Sequence, residues 1–328
     1  MNLMRDEQEL SRAPAKRRAK AQPRVAVLLP CYNEEAAIAE TVRGFGAALP
    51  GATIYVYDNN SRDRTREIAA EAGAIVRTER QQGKGHVVRR MFADIDADVY
   101  VMADGDLTYD PKSAPAMVEM LLAEQLDMVV GTRRHEAKDA YRGGHVLGNR
   151  LFTGLLSGLF GRSFSDIFSG YRVFSRRFVK SFPVLSQGFE IETEMSVHAL
   201  ELRMPVGEVE TAYGARPEGS ESKLSTYGDG WRILKTIVTL YRLERPVLFY
   251  GAIGALLVIA PILLAIPLVE TYLQTGLVPR FPTAILVTGM VIVAVLCFFA
   301  GLILDTVTRG RREVRRLAYL SLSAPGAV

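Results

Sequence analysis

The sequence predicts an α/β fold, a mostly parallel sheet sandwiched by helices, followed by a hairpin of two transmembrane helices. Between residues 24 and 213, short apolar runs alternate with segments of helical periodicity, and this alternation is typical of parallel sheets. After Pro246, residues 247–269 and 282–304 form two runs of 23 residues without a charge. About 20 apolar residues are enough to cross a bilayer. A pair of buried core helices is the alternative for these two runs.

The N-terminal segment, residues 1–23, is predicted to be a disordered basic tail. Residues 1–24 carry seven Lys or Arg against three Asp or Glu, and they include Pro14 and Pro23. The segment has no apolar run, which a secretory signal requires. Because the net charge of +4 is concentrated in the two tails, we expect the basic residues to face anionic lipid rather than nucleic acid.

Six strands and seven helices are predicted between residues 24 and 243. The strands are expected at residues 25–29, 53–57, 74–77, 99–103, 128–130 and 206–213. The helices are expected at residues 35–49, 64–72, 86–95, 113–125, 150–160, 190–202 and 229–243. No internal repeat is seen, so residues 24–225 are assigned to one domain. With only Cys31 and Cys297 in the chain, neither a disulfide framework nor a cysteine-rich metal site is expected.

The charges that flank the two apolar runs predict their orientation. The Lys and Arg residues on the outer flanks are Arg232, Lys235, Arg242, Arg245, Arg309, Arg311, Arg312, Arg315 and Arg316. The connecting residues 270–281 contain only one, Arg280. Because excess Lys and Arg stay on the cytoplasmic side, we expect a multi-pass protein of the cell (inner) membrane, with residues 24–225 in the cytoplasm and a short external loop. Residues 305–328 would then be a basic cytoplasmic tail.

The segment before the first apolar run, residues 226–246, is predicted to be a juxtamembrane amphipathic helix. Its apolar residues at helical spacing are Trp231, Leu234, Ile237, Val238 and Tyr241. Such a helix lies in the headgroup region of a bilayer. An ordinary packed helix fits the pattern equally well, and in both cases the domain is held against the membrane.

Two aspartates mark the most informative strand end. Asp104 and Asp106 follow directly after the apolar residues 99–103, and open α/β sheets bind ligands just beyond such strand ends. Two carboxylates one residue apart suit a divalent cation that bridges phosphates, since hard cations take carboxylate and phosphate oxygens. Aspartate is also a common turn residue, so the pair alone leaves the turn interpretation open.

Polar residues also follow the first two predicted strands. Tyr32 is placed to stack on a nucleobase and Glu34 to accept a hydrogen bond from the base or the ribose, although Asn33 and Glu34 also suit helix capping. Asp58, at the end of the second strand, is placed to accept a hydrogen bond from the base. The Gly-x-Gly-x-x-Gly motif of dinucleotide-binding enzymes is missing after the first strand, which argues against a dehydrogenase.

A glycine-rich turn, Gly83-Lys84-Gly85, precedes the third predicted helix. It is not a P-loop, because that motif requires Ser or Thr directly after Gly-Lys. A turn of this kind at a helix N-terminus still favours a nearby anion. Lys84 is therefore interpreted as a phosphate-binding residue, with a solvated loop lysine as the alternative.

These motifs together resemble the family 2 glycosyltransferases of the GT-A type. The segments that carry the resemblance are PCYNEE at residues 30–35, DNNSRDRT at 58–65, GKG at 83–85 and DGDLTYDP at 104–111. Further segments make the chain similar to dolichol-phosphate mannose synthases and bacterial polyprenyl-phosphate glycosyltransferases: GTR at residues 131–133, DIFSGYR at 166–172, GFE at 188–190 and SKL at 222–224. The resemblance covers residues 24–245.

The resemblance implies roles for individual residues. The nucleotide sugar would be bound by Pro30, Tyr32, Glu34, Asp58, Lys84, Asp104 and Glu190. The acceptor phosphate would be bound by Arg133, Arg150, Arg172, Ser222 and Lys223. Asp106 would hold Mg²⁺ or Mn²⁺ on the diphosphate, and it would form the catalytic set with Arg133, Arg172 and Lys223. Many dolichol-phosphate mannose synthases have Gln where this chain has Thr108, which leaves open whether Thr108 contributes to the metal site.

The expected function is transfer of a hexose from a nucleotide sugar, of the UDP-glucose or GDP-mannose type, to undecaprenyl or dolichyl phosphate with inversion. The expected partners are these two substrates and the bilayer, without nucleic acid, and a homo-oligomer is compatible with the sequence. A polysaccharide synthase is the alternative, but the Gln-x-x-Arg-Trp motif of such enzymes is missing, since the only tryptophan, Trp231, follows Asp229 and Gly230. A non-catalytic nucleotide-binding membrane scaffold is the third interpretation.

Overall fold

The computed structural model describes residues 22–135, 164–188, 190–214 and 241–326, together with residues 154, 158, 235, 238 and 239. Within them the chain forms a seven-stranded, mostly parallel sheet with helices on both faces, followed by two long apolar helices. The predicted fold class is therefore confirmed. The predicted N-terminal tail and the helices at residues 150–160 and 229–243 lie almost wholly outside the described residues.

Seven strands form the sheet. They are β1 (Val25–Cys31), β2 (Thr53–Asp58), β3 (Ile75–Thr78), β4 (Val99–Met102), β5 (Met128–His135), β6 (Arg172–Ser175) and β7 (Val206–Tyr213). Their order across the sheet is β3-β2-β1-β4-β6-β5-β7, and β6 runs antiparallel to both of its neighbours. The six predicted strands are all present, β5 is longer than expected, and β6 was not predicted.

Helices cover both faces of the sheet. They are α1 (Ile38–Ala48), α2 (Thr65–Glu71), α3 (Lys84–Asp94), α4 (Ala114–Ala123), α5 (Arg176–Ser181) and α6 (Ile191–Glu201). Alternate side chains of a strand point to opposite faces. Accordingly, Ala26 and Leu28 of β1 belong to a hydrophobic core with residues of α3, α5 and α6, whereas Val27 and Leu29 belong to a second core with α1 and α4.

Gly83 and Gly85 allow the start of α3 to pack directly against the backbone of residues 186–187. The Gly85 N–H donates to Gln187 O (3.1 Å), and the Gly83 N–H donates to Asn59 Oδ1 (2.7 Å). A Cβ at Gly85 would lie 2.1 Å from Ser186 O, and one at Gly83 would lie 2.2 Å from Gln187 O. The glycine-rich turn thus bonds to protein groups rather than presenting these two N–H groups to an anion.

Gly85→Ala is expected to destabilise the protein by about 1–3 kcal/mol, because the added methyl group meets backbone atoms that cannot easily move. Gly46→Ala in α1 is the matched control. Its Cβ would lie 3.6 Å from Ile54 Cδ1, and alanine is favoured over glycine in a helix interior by about 0.5–1 kcal/mol. Unfolding temperatures measured in detergent compare the two variants. An unchanged value for Gly85→Ala would show that residues 186–187 shift without cost.

Two long helices follow the domain, α7 (Pro246–Thr275) and α8 (Phe281–Leu320). Both are long and apolar enough to cross a membrane, and only 11% of their most apolar windows is buried. This exposure contradicts the alternative of buried core helices. The two helices approach each other closely at glycines, since a Cβ at Gly254 would lie 3.2 Å from Ala294 O and one at Gly301 would lie 3.3 Å from Val247 Cα.

The second long helix continues well beyond its uncharged run. Residues 305–320 were expected in a basic tail, but they form the last part of α8; we call them the α8 arm. Two of its basic residues, Arg312 and Arg315, pair with Glu201 of α6. The expectation that these arginines face lipid is thereby corrected, because the arm docks on the domain.

Candidate active site

The carboxyl ends of β1, β2 and β4 meet at one edge of the sheet. In the parallel registers Cys31 pairs with Asp58 and Leu28 pairs with Met102. The Asn59 N–H continues the ladder by donating to Cys31 O (2.8 Å). The residues at these strand ends are therefore neighbours, as the sequence predicts for Pro30, Tyr32, Glu34, Asp58, Asp104 and Asp106.

The carboxylate of Asp106 is held in a fixed orientation. Asp106 is 3% exposed, and its Oδ1 accepts hydrogen bonds from Thr108 Oγ1 (2.6 Å) and from the Thr108 N–H (3.2 Å). Leu107, between them, has a φ of 60°, a conformation that is uncommon for a residue with a Cβ. This turn returns Thr108 to the carboxylate, so Thr108 orients Asp106.

A buried lysine lies between Asp104 and a glutamate of α6. Lys84 Nζ bonds to Asp104 Oδ1 and lies 2.5 Å from Glu192 Oε1. Burial acts to lower the pKa of Lys84, but the two carboxylates outweigh it and raise that pKa. The lysine therefore stays charged and joins the strand end at Asp104 to α6. We call these three residues the Lys84 cluster.

The acidic residue of α6 that reaches this cluster is Glu192. The sequence places Glu190, Glu192 and Glu194 together at this helix start, and donor binding was assigned to Glu190. Glu190, the predicted donor-binding residue, is exposed, and its carboxylate accepts from the Gly188 N–H (3.2 Å). Glu194 accepts from two backbone N–H groups of residues 185–186 (2.8 and 2.7 Å). The structure does not bring Glu190 to the cluster, and Glu192 takes the place that was expected for it.

Gly170 makes a close approach to the Lys84 cluster. A Cβ at this position would lie 2.9 Å from Asp104 Oδ2 and 3.3 Å from Lys84 Nζ. The Gly170 N–H donates to Tyr109 Oη (2.8 Å). Burial, together with the charge of Asp104, raises the pKa of Tyr109, so the phenol stays neutral. The segment around Gly170 thus borders the site, and a larger residue at this position would displace the side chain of Asp104.

Asp58, a residue expected to bind the nucleobase, lies below the surface of this edge. It is 0% exposed, its carboxylate accepts from the Ser61 N–H (3.3 and 3.2 Å), and Oδ2 lies 4.0 Å from Arg66 Nε. Tyr32 is half-buried and Glu34 is 8% exposed. Asp58 therefore stabilises the turn after β2, and its contact with a base stays a prediction.

Arg133 extends from β5 and forms a two-point ion pair with Asp166. Its Nε and Nη2 lie 2.7 and 2.8 Å from the two carboxylate oxygens, and its guanidinium carbon lies 5.5 Å from the centroid of the Tyr213 ring. Burial acts to raise the pKa of Asp166, but Arg133 outweighs it and holds that pKa below its usual value. Within the described part of the chain, Arg133 bonds to Asp166 through Nε and Nη2.

Arg172 lies in the interior rather than at the site. It is 0% exposed, and it donates to Ile167 O (2.6 Å), Ser169 O (2.9 Å) and Ser196 Oγ (2.9 Å). Burial lowers its pKa to about 10, so the guanidinium remains charged at neutral pH. The expectation that Arg172 binds phosphate and takes part in catalysis is corrected: this side chain ties the segment 167–169 to α6.

Three predicted acceptor-binding residues, Arg150, Ser222 and Lys223, lie outside the described residues, and their roles stay predictions. Among the residues that the structure describes, no three His, Cys, Asp or Glu side chains are grouped closely enough to hold a metal ion. A cation at Asp106 would therefore need additional ligands from a substrate or from water.

Comparison with known proteins assigns the chain to a family. Residues 26–182 match the family model described as glycosyl transferase family 2. Glycosyltransferase AglJ of Haloferax volcanii is 35% identical over 237 residues, which cover 70% of this chain and 76% of that protein. The chain belongs to glycosyl transferase family 2. It is therefore an enzyme, a glycosyltransferase, and the resemblance seen in the motifs is confirmed.

Two further comparisons add to this assignment. The dolichol-phosphate mannosyltransferase of Pyrococcus furiosus is 28% identical over 239 residues, which cover 68% of this chain and 64% of that protein. Among solved structures, the glucosyl-3-phosphoglycerate synthase of Mycobacterium tuberculosis, crystallised with Mn²⁺ and UDP-glucose, has a TM-score of 0.56 at 24% identity and covers 68% of this chain and 80% of that one. The structural likeness shows that the family 2 domain described above has the GT-A fold.

Proposed function

We propose that this glycosyltransferase moves a hexose from a nucleoside-diphosphate sugar to a polyprenyl phosphate at the membrane surface. The observation that carries the proposal is the presence, in one chain, of the strand-end carboxylates Asp104 and Asp106 and of two exposed apolar helices. The carboxylates suit a diphosphate with its cation, and the helices suit an acceptor that is itself anchored in lipid. The similarity to a dolichol-phosphate mannosyltransferase supports the lipid acceptor.

The carboxylate of Asp106 fits Mg²⁺ or Mn²⁺ as a ligand. Mg²⁺ is usually held by one or two carboxylates and completes its shell with substrate phosphates and water, which agrees with the lack of a three-acid group among the described residues. Asp106 would hold the cation, and Asp104, whose side chain is 31% exposed, would contact the ribose or the sugar. When bound, the cation neutralises charge on the departing diphosphate.

The nucleotide would lie along the carboxyl ends of β1 and β2. Tyr32 would stack on the base beside Pro30, and Glu34 would accept a hydrogen bond from the base or the ribose. Lys84 would act near the diphosphate through its bond to Asp104, since that bond fixes the carboxylate that faces the donor. Fixed charges of this kind stabilise a transition state because they need no reorganisation during the reaction.

The acceptor phosphate would be held by Arg133, together with Arg150, Ser222 and Lys223. Arginine suits this task because its planar guanidinium matches the geometry of phosphate oxygens. A phosphate monoester has a second pKa of about 6, so its oxygen is largely anionic at pH 7 and attacks the anomeric carbon without a strong general base. Attack on the side opposite to the departing diphosphate inverts the anomeric configuration.

The flanking charges support a cytoplasmic catalytic domain. Arg242 and Arg245 precede or begin α7, and five arginines follow the uncharged run of α8, whereas the connection at residues 276–280 contains only Arg280. Because Lys and Arg favour the cytoplasmic side, the domain and the α8 arm would lie in the cytoplasm. The soluble nucleotide sugar and the phosphate of the lipid would then meet at the cytoplasmic surface of the membrane.

The decisive experiment supplies the purified full chain in liposomes with undecaprenyl phosphate, Mn²⁺ and either UDP-glucose or GDP-mannose. We expect one of the two donors to yield a hexosyl phospholipid, identified by mass spectrometry after organic extraction. The donor that reacts also identifies the base and the sugar. Release of free hexose or growth of a polysaccharide, with no sugar on the lipid from either donor, would contradict the proposal.

A further inference from the structure

Ion pairs between partly exposed arginines and buried glutamates join the α8 arm to the catalytic domain. Arg312 Nε and Arg315 Nη1 lie 3.2 and 2.5 Å from the two carboxylate oxygens of Glu201, and Arg312 also pairs with Glu244. The side chains of Glu201 and Glu244 are only 3% and 8% exposed. Removing the arginines would leave the buried carboxylate of Glu201 uncompensated, which is destabilising. The ion pairs therefore fix the position of the arm against α6.

A second contact lies at the end of the arm. Tyr319 Oη donates to Asp127 Oδ2 (2.8 Å), and the Tyr319 ring centroid lies 4.7 Å from the guanidinium carbon of Arg177. Asp127 is 0% exposed and also accepts from Ser175 Oγ (2.7 Å). It directly precedes β5, the strand that carries Arg133. Two separate contacts along the arm fix its direction as well as its position.

The arm is also continuous with the membrane helix and bound to the residues before α7. As a single helix of 40 residues, α8 is about 60 Å long. Thr308 Oγ1 donates to Leu243 O (3.1 Å), and Arg312 Nη2 donates to Glu244 O (3.2 Å). These two bonds hold the arm against the residues before α7. The catalytic domain therefore cannot tilt against the hairpin without breaking the contacts of Glu201 and Asp127 with the arm.

One short helix, α6, connects the arm to the Lys84 cluster. Glu201 is its last residue, and Glu192 lies in its first turn, where it pairs with Lys84. The two glutamates are nine positions apart, which corresponds to about 14 Å along the helix axis. The α8 arm and the Lys84 cluster therefore contact opposite ends of α6.

We propose that Glu201, Arg312 and Arg315 are positioning residues that fix the active site relative to the bilayer, so that it meets the phosphate of a membrane-embedded acceptor. This inference rests on the proposed function. None of the three residues belongs to the Lys84 cluster or to the residues proposed to hold the acceptor. A short-chain acceptor that diffuses in water does not need this positioning. A long-chain acceptor does, because its phosphate remains at the surface of the lipid.

The test measures kcat/KM for two acceptors, undecaprenyl phosphate and water-soluble geranyl phosphate, with the full chain in liposomes. The variants are Arg315→Gln alone and together with Arg312→Gln. The single variant leaves Glu201 paired with Arg312, so it retains the fold if the double variant does not. Arg309→Gln is the control, because among the described residues Arg309 pairs only with Asp305 of the same helix, and its side chain is 74% exposed. Arg315→Lys tests rescue by a retained charge.

We expect the ratio of kcat/KM for undecaprenyl phosphate to kcat/KM for geranyl phosphate to fall about tenfold or more in the Gln variants. A small misplacement of the active site relative to the acceptor phosphate is enough to reduce the rate by this much. The ratio should stay unchanged in Arg309→Gln and should recover in part in Arg315→Lys. Equal losses for both acceptors, or an unchanged ratio, would overturn the inference. A wild-type protein that transfers to neither phosphate would instead contradict the proposed function, so the two failures are distinguishable.

Discussion

Asp106→Asn is expected to lower kcat/KM for hexose transfer about a thousandfold without loss of the fold. Asparagine retains an Oδ1 that accepts from the Thr108 side chain and N–H as Asp106 does. It removes the negative charge that a hard divalent cation requires. The measurement is transfer as a function of Mn²⁺ concentration, together with the unfolding temperature in detergent. The Mn²⁺ concentration for half-maximal rate should rise, whereas the unfolding temperature should not fall.

Asp98→Asn provides the matched control for this change of charge. Asp98 precedes β4 at the opposite edge of the sheet, where its carboxylate accepts from the Arg24 N–H (2.8 Å). The substitution there should alter neither kcat/KM nor the dependence on Mn²⁺. If Asp106→Asn behaved in the same way as Asp98→Asn, Asp106 would not be a metal ligand and the proposed chemistry would lack its cation site.

The location of the site could be predicted from the sequence because it depends on topology. Apolar runs locate β1, β2 and β4, and parallel strands place their carboxyl ends at one edge. Asp58 ends β2, Tyr32 and Asp104 lie just beyond β1 and β4, and the three residues are neighbours for that reason. The turns at this edge also share a property that the sequence does not show: Asn33 and Leu107 both have a positive φ.

The direction of individual side chains could not be predicted. Arg172 lies in β6, a strand of four residues, which is too short to show an alternating pattern, and its side chain points into the interior. The choice between Glu190 and Glu192 depends on where α6 begins, because each position along a helix turns the side chain by about 100°. Motif spacing brings such residues to the right region but does not fix which of them faces the site.

The docking of the α8 arm was invisible in the sequence for a different reason. The charges after Leu304 correctly mark the end of the apolar run, and basic residues in that place usually face lipid headgroups. Their partner here, Glu201, is more than a hundred residues away in the sequence. Only the tertiary fold brings the arm and α6 together, so a charge pattern read along the chain assigns these arginines to the wrong surface.

Lys84→Met should destabilise the protein by about 3–5 kcal/mol and also reduce transfer. The lysine side chain is 9% exposed and lies between Asp104 and Glu192. Methionine has a similar length but no charge, and it would leave two carboxylates close together without a cation between them. We expect a lower unfolding temperature in detergent and a lower kcat/KM at saturating Mn²⁺. Lys112→Met is the control, because Lys112 is exposed on the turn before α4, and it should change neither value.

The double variant Lys84→Met, Glu192→Gln separates the two roles of the lysine. Without the charge of Glu192, Asp104 no longer faces a second carboxylate, so most of the lost stability should return. Activity should not return, because no cation then orients Asp104 where the donor binds. A double variant with the kcat/KM of the wild type would show that Lys84 is a structural residue only, and that the strand end alone orients Asp104.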